Sequence, residues 1–291
     1  MSFAALFIQP FAEFGFMRRA LVACLALGLS CGPMGTLLVL RRMSLVGDAI
    51  AHALLPGAAL AFVLFGYSLW AMSLGGFIAA ILVAGLAGLV ARLTPQREDA
   101  SFAAFYLIAL AAGVMIISTR GSSVDLMHVL FGSVLAVDDE SLFLIATVAS
   151  VSLLVLALVY RPLVVECFDP GFLRSLGSAG AWVHGLFLVL LVLNLVGGFQ
   201  ALGTLMAVGL MMLPATAARF WATEVWSLAA VATLLAVLSG WGGLLLSYHV
   251  NWPSGPAIVL LAGGFYLLSL LVGRRDSLLS RVLGRRAHRE L

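Results

Sequence analysis

The chain has 291 residues, 63% of them hydrophobic and only 10% charged, where soluble domains carry about 25% charged residues. A soluble globular protein is thereby excluded, and with charges this scarce, bunched between long apolar runs, the net charge of +3 is no nucleic-acid signal. All sixteen basic side chains are Arg; without a lysine, a phosphate loop of the GxxxxGKS or GxxxxGKT type cannot exist, so the chain has no ATP-binding loop of its own.

Taken from the N-terminus, MSFAALFIQPFAEFGFM lacks the basic start and small-residue cleavage site of a signal peptide, and residues 1–19 are expected to form an interfacial helix. Crossing about 30 Å of hydrocarbon at 1.5 Å per residue takes about 20 helical residues. The stretches free of Asp, Glu and Arg at 20–40, 100–119 and 141–160 each hold one such helix, and those at 49–91, 175–218 and 225–273 each hold two. The expected fold is therefore all-α, one polytopic bundle over 20–273 with about nine transmembrane helices, in a range of eight to ten. The double stretches should turn at Gly66-Tyr67-Ser68, at Gly197-Gly198 and at Asn251 to Pro256. The run 121–137 is too polar at its start to span and is expected as a short external helix. A basic tail, 274–291, ends the chain, and its plain reading is an anchor on anionic lipid.

Basic residues favour the cytoplasmic side. With an odd span count, an N-out, C-in orientation leaves only Arg18, Arg19 and Arg120 outside and the remaining thirteen Arg inside, and that orientation is expected. Gly28 and Gly32 allow close helix approach, more often within one chain than between chains.

Ionisable groups at membrane depth are costly and tend to mark a pathway or a site. In RRMSLVGDAIAHALLPG (41–57), Asp48 and His52 are spaced i to i+4, which puts both on one helix face. Counted from Arg42 at helical rise, His52 lies roughly 15 Å in, near the midplane, and Pro56 interrupts the helix just beyond. Two readings stand: a hydrogen-bonded pair that satisfies itself between helices, or two ligands of a borderline divalent ion such as zinc or manganese. Two ligands do not complete a site, so the rest must come from elsewhere in the chain, a second copy or water.

The other candidates are weaker. Asp125, with His128 nearby, sits at an expected external mouth where an acid attracts cations, or else caps a helix. Asp138, Asp139 and Glu140 precede a helix and suit its dipole. His184 and His249 read as interface residues near helix ends. Cys24, Cys31 and Cys167 are too scattered for a disulfide framework, and the first two read as buried packing. With no HExxH, GxSxG or CxxC, a membrane enzyme lacks its signature.

The residues CGPMGTLLVLRRMSLVGDAIAHALLPGAALAF (31–62), VDLMHVLFGSVLAV (124–137), CFDPGFLRSLG (167–177), VGGFQALGTLMAVGLMMLPATAARF (196–220) and WPSGPAIVL (252–260) resemble, in that order, the membrane permeases of zinc and manganese ABC importers, which are related in fold to cobalamin and siderophore permeases. The resemblance implies a multi-pass cell-membrane protein, itself no enzyme and without a tightly bound cofactor, that passes a divalent metal ion, zinc or manganese. It implies three partners: a cytoplasmic ATPase dimer, an external metal-binding protein that is periplasmic or lipid-anchored, and a second copy of the chain. Asp48 and His52 fall on the family's GDxxxH block and are the implied pathway ligands. Pro214, Ala215, Arg219 and Phe220 fall where the family turns at the cytoplasmic face, and the residues onward to about Trp226 resemble the short helix that inserts in the ATPase. A permease for a metal chelate such as a siderophore is the competing reading. Zinc is only slightly favoured over manganese by ligand softness.

Overall fold

The computed structural model describes residues 6–96, 98–119, 134–175, 179–275 and 277–279. In chain order its helices are α1 (Gln9–Glu13), α2 (Gly15–Leu40), α3 (Ser44–Ala53), α4 (Leu55–Phe65), α5 (Leu69–Leu93), α6 (Glu98–Thr119), α7 (Asp139–Leu158), α8 (Tyr160–Phe168), α9 (Pro170–Ser175), α10 (Ala179–Leu202), α11 (Thr204–Ala218), α12 (Val225–Val250) and α13 (Ser254–Val272). No strand occurs among the described residues. This is what lipid demands, since in hydrocarbon a helix closes its own backbone hydrogen bonds whereas an open strand edge cannot.

Eight segments are long and apolar enough to cross a membrane, with α3 and α4 counting together as one span over Ser44–Phe65. The ninth helix stands where the sequence puts it, but it is short: α11 has 15 residues. The first span starts at Gly15 and takes Arg18 and Arg19 into its opening turns. Composition and length together make this a multi-pass membrane protein.

Two of the expected turns are found in place. Gly66, at φ 70°, ends α4, and Ser68 caps α5 by accepting from the backbone N–H of Ala71. Asn251, in the left-handed region at φ 57°, ends α12 ahead of Pro253. The third turn is not at Gly197-Gly198, which lie inside α10, but at Gly203, whose φ of 87° and ψ of 159° suit only glycine. The glycine pair serves packing instead: a Cβ on Gly198 would come within 2.7 Å of the Ala207 Cβ across the α10–α11 hairpin.

Helix α2 is the axis of one half of the molecule, lying antiparallel to α12 and against α7 and α11. Between apolar helices in lipid there is no hydrophobic drive to associate, so close van der Waals approach must hold them, and small residues permit it. A Cβ on Gly32 would sit 2.7 Å from Thr233 Cα, one on Gly35 would sit 1.9 Å from the Met211 carbonyl oxygen, and Gly28 faces Val237. Gly28 and Gly32 therefore pack within the chain. Helices α3 to α6 form the other half, joined to the first through α10 and α11. One polar staple crosses the core, where fully buried Asn194 on α10 donates to Ser152 Oγ on α7 at 2.8 Å.

Because successive spans run antiparallel, the C-terminal ends of α2, α7, α11 and α13 gather at one face with the N-terminal ends of α3, α10 and α12. The hydrogen bond from Trp221 Nε1 to Ser269 Oγ, 2.9 Å, ties two of these ends together. Arg41, Arg42, Arg161, Arg219, Arg274 and Arg275 all belong to this basic face.

Candidate functional site

The span carrying Asp48 and His52 begins with a turn whose geometry follows from the end of α2. Met43 N–H bonds the Leu38 carbonyl at 3.0 Å and Arg42 N–H bonds that of Val39 at 3.1 Å, with Arg42 left-handed at φ 58°. This is the Schellman arrangement, completed by the apolar pair Met43 and Leu38, both buried. Helix α3 then runs to Ala53, and Pro56 opens α4 after a break at Leu54.

Along this span His52 lies about 12 Å in from Ser44 and close to the span's middle. Its Nε2 stands 3.6 Å from Asp48 Oδ1, and its ring stacks on Tyr106 of α6 at a centroid distance of 6.1 Å. At 3.6 Å the pair is not hydrogen-bonded. His52 Nδ1 is buried without a hydrogen-bond partner among the described residues, and the Asp48 side chain is 55% exposed on the isolated chain. The self-satisfying pair is thus not the arrangement found. Two ligand atoms each about 2.1 Å from one ion stand at most about 4.2 Å apart, so the gap admits a shared divalent ion. Among the described residues no third His, Cys, Asp or Glu joins them.

A second cluster was not expected from the sequence. The Arg41 side chain, 5% exposed, has Nη2 3.6 Å from Glu166 Oε2 of α8, Nε donating to Cys167 Sγ at 3.4 Å, and its guanidinium carbon 4.0 Å from the centre of the Phe187 ring on α10. His184 of α10 completes it, with Nδ1 3.4 Å from Arg41 Nη1 and 3.3 Å from Glu166 Oε1. One nitrogen cannot accept from the guanidinium and donate to the carboxylate at once, so the ring's protonation decides which it serves. His184 is therefore part of a buried ion cluster rather than a simple interface residue. The sequence signal available was a lone acid in LVVECF and a lone histidine in WVHGLF, each inside an apolar run.

At the basic face, α11 does not stop at Pro214 but continues to Ala218. Pro214 and Ala215 are buried, which leaves Arg219, exposed, as the outward group. Residues 219–221 form a turn and α12 begins at Val225, so no separate short helix reaches Trp226. The turn is held from inside: Phe220 packs on Tyr266, and Arg275 N–H donates to the Phe220 carbonyl at 3.0 Å. Trp221, in the turn, and Trp226, in the first turn of α12, are exposed.

Of the remaining candidates, Asp125 and His128 lie outside the described residues. Asp138 caps α7, accepting from Ser141 N–H at 2.9 Å, and hydrogen bonding from Ser141 holds its carboxyl below the ordinary value. Asp139 pairs with Arg19 at 3.1 Å. His249 Nε2 lies 3.0 Å from the Leu6 carbonyl oxygen. Cys24 and Cys31 are buried in α2, as packing residues should be.

Comparison with known proteins places these features in a family. Residues 13–273 match the model of the ABC 3 transport family. The chain is 35% identical over 274 residues to the manganese import system permease protein ScaB of Streptococcus parasanguinis, covering 93% of this chain and 95% of that protein. It is 32% identical over 267 residues to the chelated iron transport system membrane protein YfeD of Yersinia pestis, covering 92% and 88%. Among solved structures, PsaBC from Streptococcus pneumoniae in complex with Fab superposes with a TM-score of 0.83 at 31% identity, covering 95% of this chain and 99% of that one. Matched along nearly its whole length, in sequence and in fold, the chain belongs to the ABC 3 transport family.

Proposed function

We propose that the chain is the membrane permease of an importer for a divalent transition-metal ion, with Asp48 and His52 as ligands on the ion's path. The observation that carries this reading is the pair itself: a carboxylate and an imidazole at membrane depth, 3.6 Å apart, one exposed and the other with an unpartnered buried nitrogen. Keeping an acid and a histidine there costs about 2.5–3.5 kcal/mol for the charged form alone, which is retained where function needs it. A ligand pair that is half exposed on one chain is completed by a symmetric pair from a second copy across a two-fold axis. Asp125, expected from the sequence at the external mouth, is assigned to draw cations toward the pair.

Energy comes from a cytoplasmic ATPase dimer that docks at the basic face through exposed Arg219, with Phe220 holding the turn from inside and Pro214 and Ala215 shaping the helix end behind it. An external binding protein delivers the ion at the opposite face. The orientation is N-out and C-in, since the face rich in Arg is the inner one. Alternating access requires that the outward and inward states differ in affinity for the ion.

Manganese is the first cargo to test, because ScaB is named for manganese import, whereas the slight preference for zinc rests on ligand softness alone. The name of YfeD favours a second reading, transport of chelated iron. Proteoliposomes holding the chain, its ATPase and its binding protein are to be assayed for ATP-driven uptake of radiolabelled manganese, zinc and a ferric chelate. Free-ion uptake supports the proposal; uptake of the chelate alone replaces it with the second reading.

A further inference from the structure

We propose that Arg41 is a positioning residue for transport: held by Glu166, His184 and Cys167, it fixes the turn from which the span bearing Asp48 and His52 departs. The inference rests on the metal-path reading and deepens it.

Three observations lead there. First, Arg41 is the last residue before the left-handed Arg42, and the turn from Leu38 to Met43 is closed by two backbone bonds. A rotation of this turn is passed along α3, because one helix carries both the turn's exit and the two ligands. Second, the Arg41 side chain does not reach for water at the membrane face, as a basic residue at a helix end ordinarily does. It is 5% exposed, with Nε donating to Cys167 Sγ, Nη1 3.4 Å from His184 Nδ1, Nη2 in an ion pair with Glu166 Oε2 that at 3.6 Å is too long for a hydrogen bond, and its plane over Phe187. Third, those partners sit on α8 and α10, elements distant in sequence from α2.

A buried ion pair of this kind is poor evidence for stability alone, since apolar residues of similar volume often serve as well or better. What the cluster adds is geometry. Guanidinium is a planar fork that binds in one orientation, where an ammonium would act as a point charge. Glu166 and His184 therefore set where Arg41 sits, and Arg41 sets where α3 begins.

The test uses the chain assembled with its ATPase and binding protein in proteoliposomes. Arg41→Gln and the isosteric Glu166→Gln should each lower the maximal rate of manganese uptake about tenfold or more, as misplacement of a site does, with ATPase co-purification retained. Arg41→Lys, which keeps the charge and loses the fork, should not restore it.

Two readouts are independent of any cargo. Cys167 is the half-buried cysteine, while Cys24 and Cys31 are 1% and 0% exposed, so its alkylation by N-ethylmaleimide reports the cluster directly. The rate should rise in both Gln variants. Asp48→Cys reports α3 by its reactivity toward a water-soluble thiosulfonate, and that rate should change when Arg41→Gln or Glu166→Gln is added. Normal uptake kinetics in Arg41→Gln, with Cys167 newly reactive, would overturn the proposal. So would an unchanged reporter at position 48. Should Arg41→Gln fail to reach the membrane, Glu166→Gln decides alone on the same readouts. A wild-type complex that takes up neither manganese nor zinc defeats the metal reading instead, and the two thiol rates still judge the positioning role.

Discussion

His52 Nε2 faces Asp48 Oδ1 across 3.6 Å, one helical turn apart and close to the middle of the span Ser44–Phe65. The distance is too long for a hydrogen bond and short enough for two ligands of one ion. Tyr106 stacks against the imidazole and His52 Nδ1 has no hydrogen-bond partner among the described residues, so the ring is held in place by packing rather than by a bond of its own.

At the basic face, Arg219 is the exposed charge of a turn whose neighbours Phe220 and Trp221 are tied to α13. Arg219→Glu should leave the membrane helices intact and reduce recovery of the ATPase with the tagged chain by about tenfold, which corresponds to a net weakening of about 1.4 kcal/mol. Undiminished co-purification at moderate salt would place the docking surface elsewhere.

Gly203 turns α10 into α11 at φ 87°, a conformation of order 1–3 kcal/mol uphill for any residue with a Cβ. Gly203→Ala should destabilise the detergent-solubilised protein by about 1–3 kcal/mol, read as a lowered thermal midpoint. Gly263→Ala, on α13 with open space around its Cβ position, should be close to neutral in the same assay.

Asp138 caps α7, and removing a side-chain cap costs about 0.5–2 kcal/mol. Because hydrogen bonds from Ser141 depress its folded-state pKa, the carboxylate's contribution is complete above the ordinary Asp value of about 3.9 and is lost as pH falls through the lower folded value. Asp138→Ala should therefore lower the thermal midpoint at pH 7. The difference between wild type and Asp138→Ala should shrink below about pH 4. A gap that stays constant down to pH 3 would contradict the capping role.

The span pattern was legible because charge is almost absent from hydrocarbon, so the gaps between Arg, Asp and Glu measure helix length directly. The turns at Gly66 and Asn251 were legible for the same reason a turn is: both need positive φ, and the local sequence says so. Gly197-Gly198 misled because a helix in lipid uses glycine for close approach as readily as for turning, and only the packing partner Ala207 distinguishes the two. Asp48 and His52 announced themselves by i, i+4 spacing on one helix. The Arg41, Glu166 and His184 cluster could not, since its members come from three separate stretches of the chain and no spacing in the sequence links them. The segment after Ala218 turns without a helix of its own because Phe220 and Trp221 are drawn onto α13.

The most direct test of the metal path is ATP-driven manganese uptake by proteoliposomes carrying the complete complex, wild type beside Asp48→Asn and His52→Gln, at matched amounts of assembled protein. Both substitutions keep approximate size and polarity; Asp48→Asn removes the carboxylate charge and His52→Gln the imidazole nitrogen. The account predicts that each cuts uptake at least about a hundredfold, the loss of roughly 2.7 kcal/mol of ion stabilisation on the path. Wild-type uptake in both variants would contradict it and return Asp48 and His52 to a structural role.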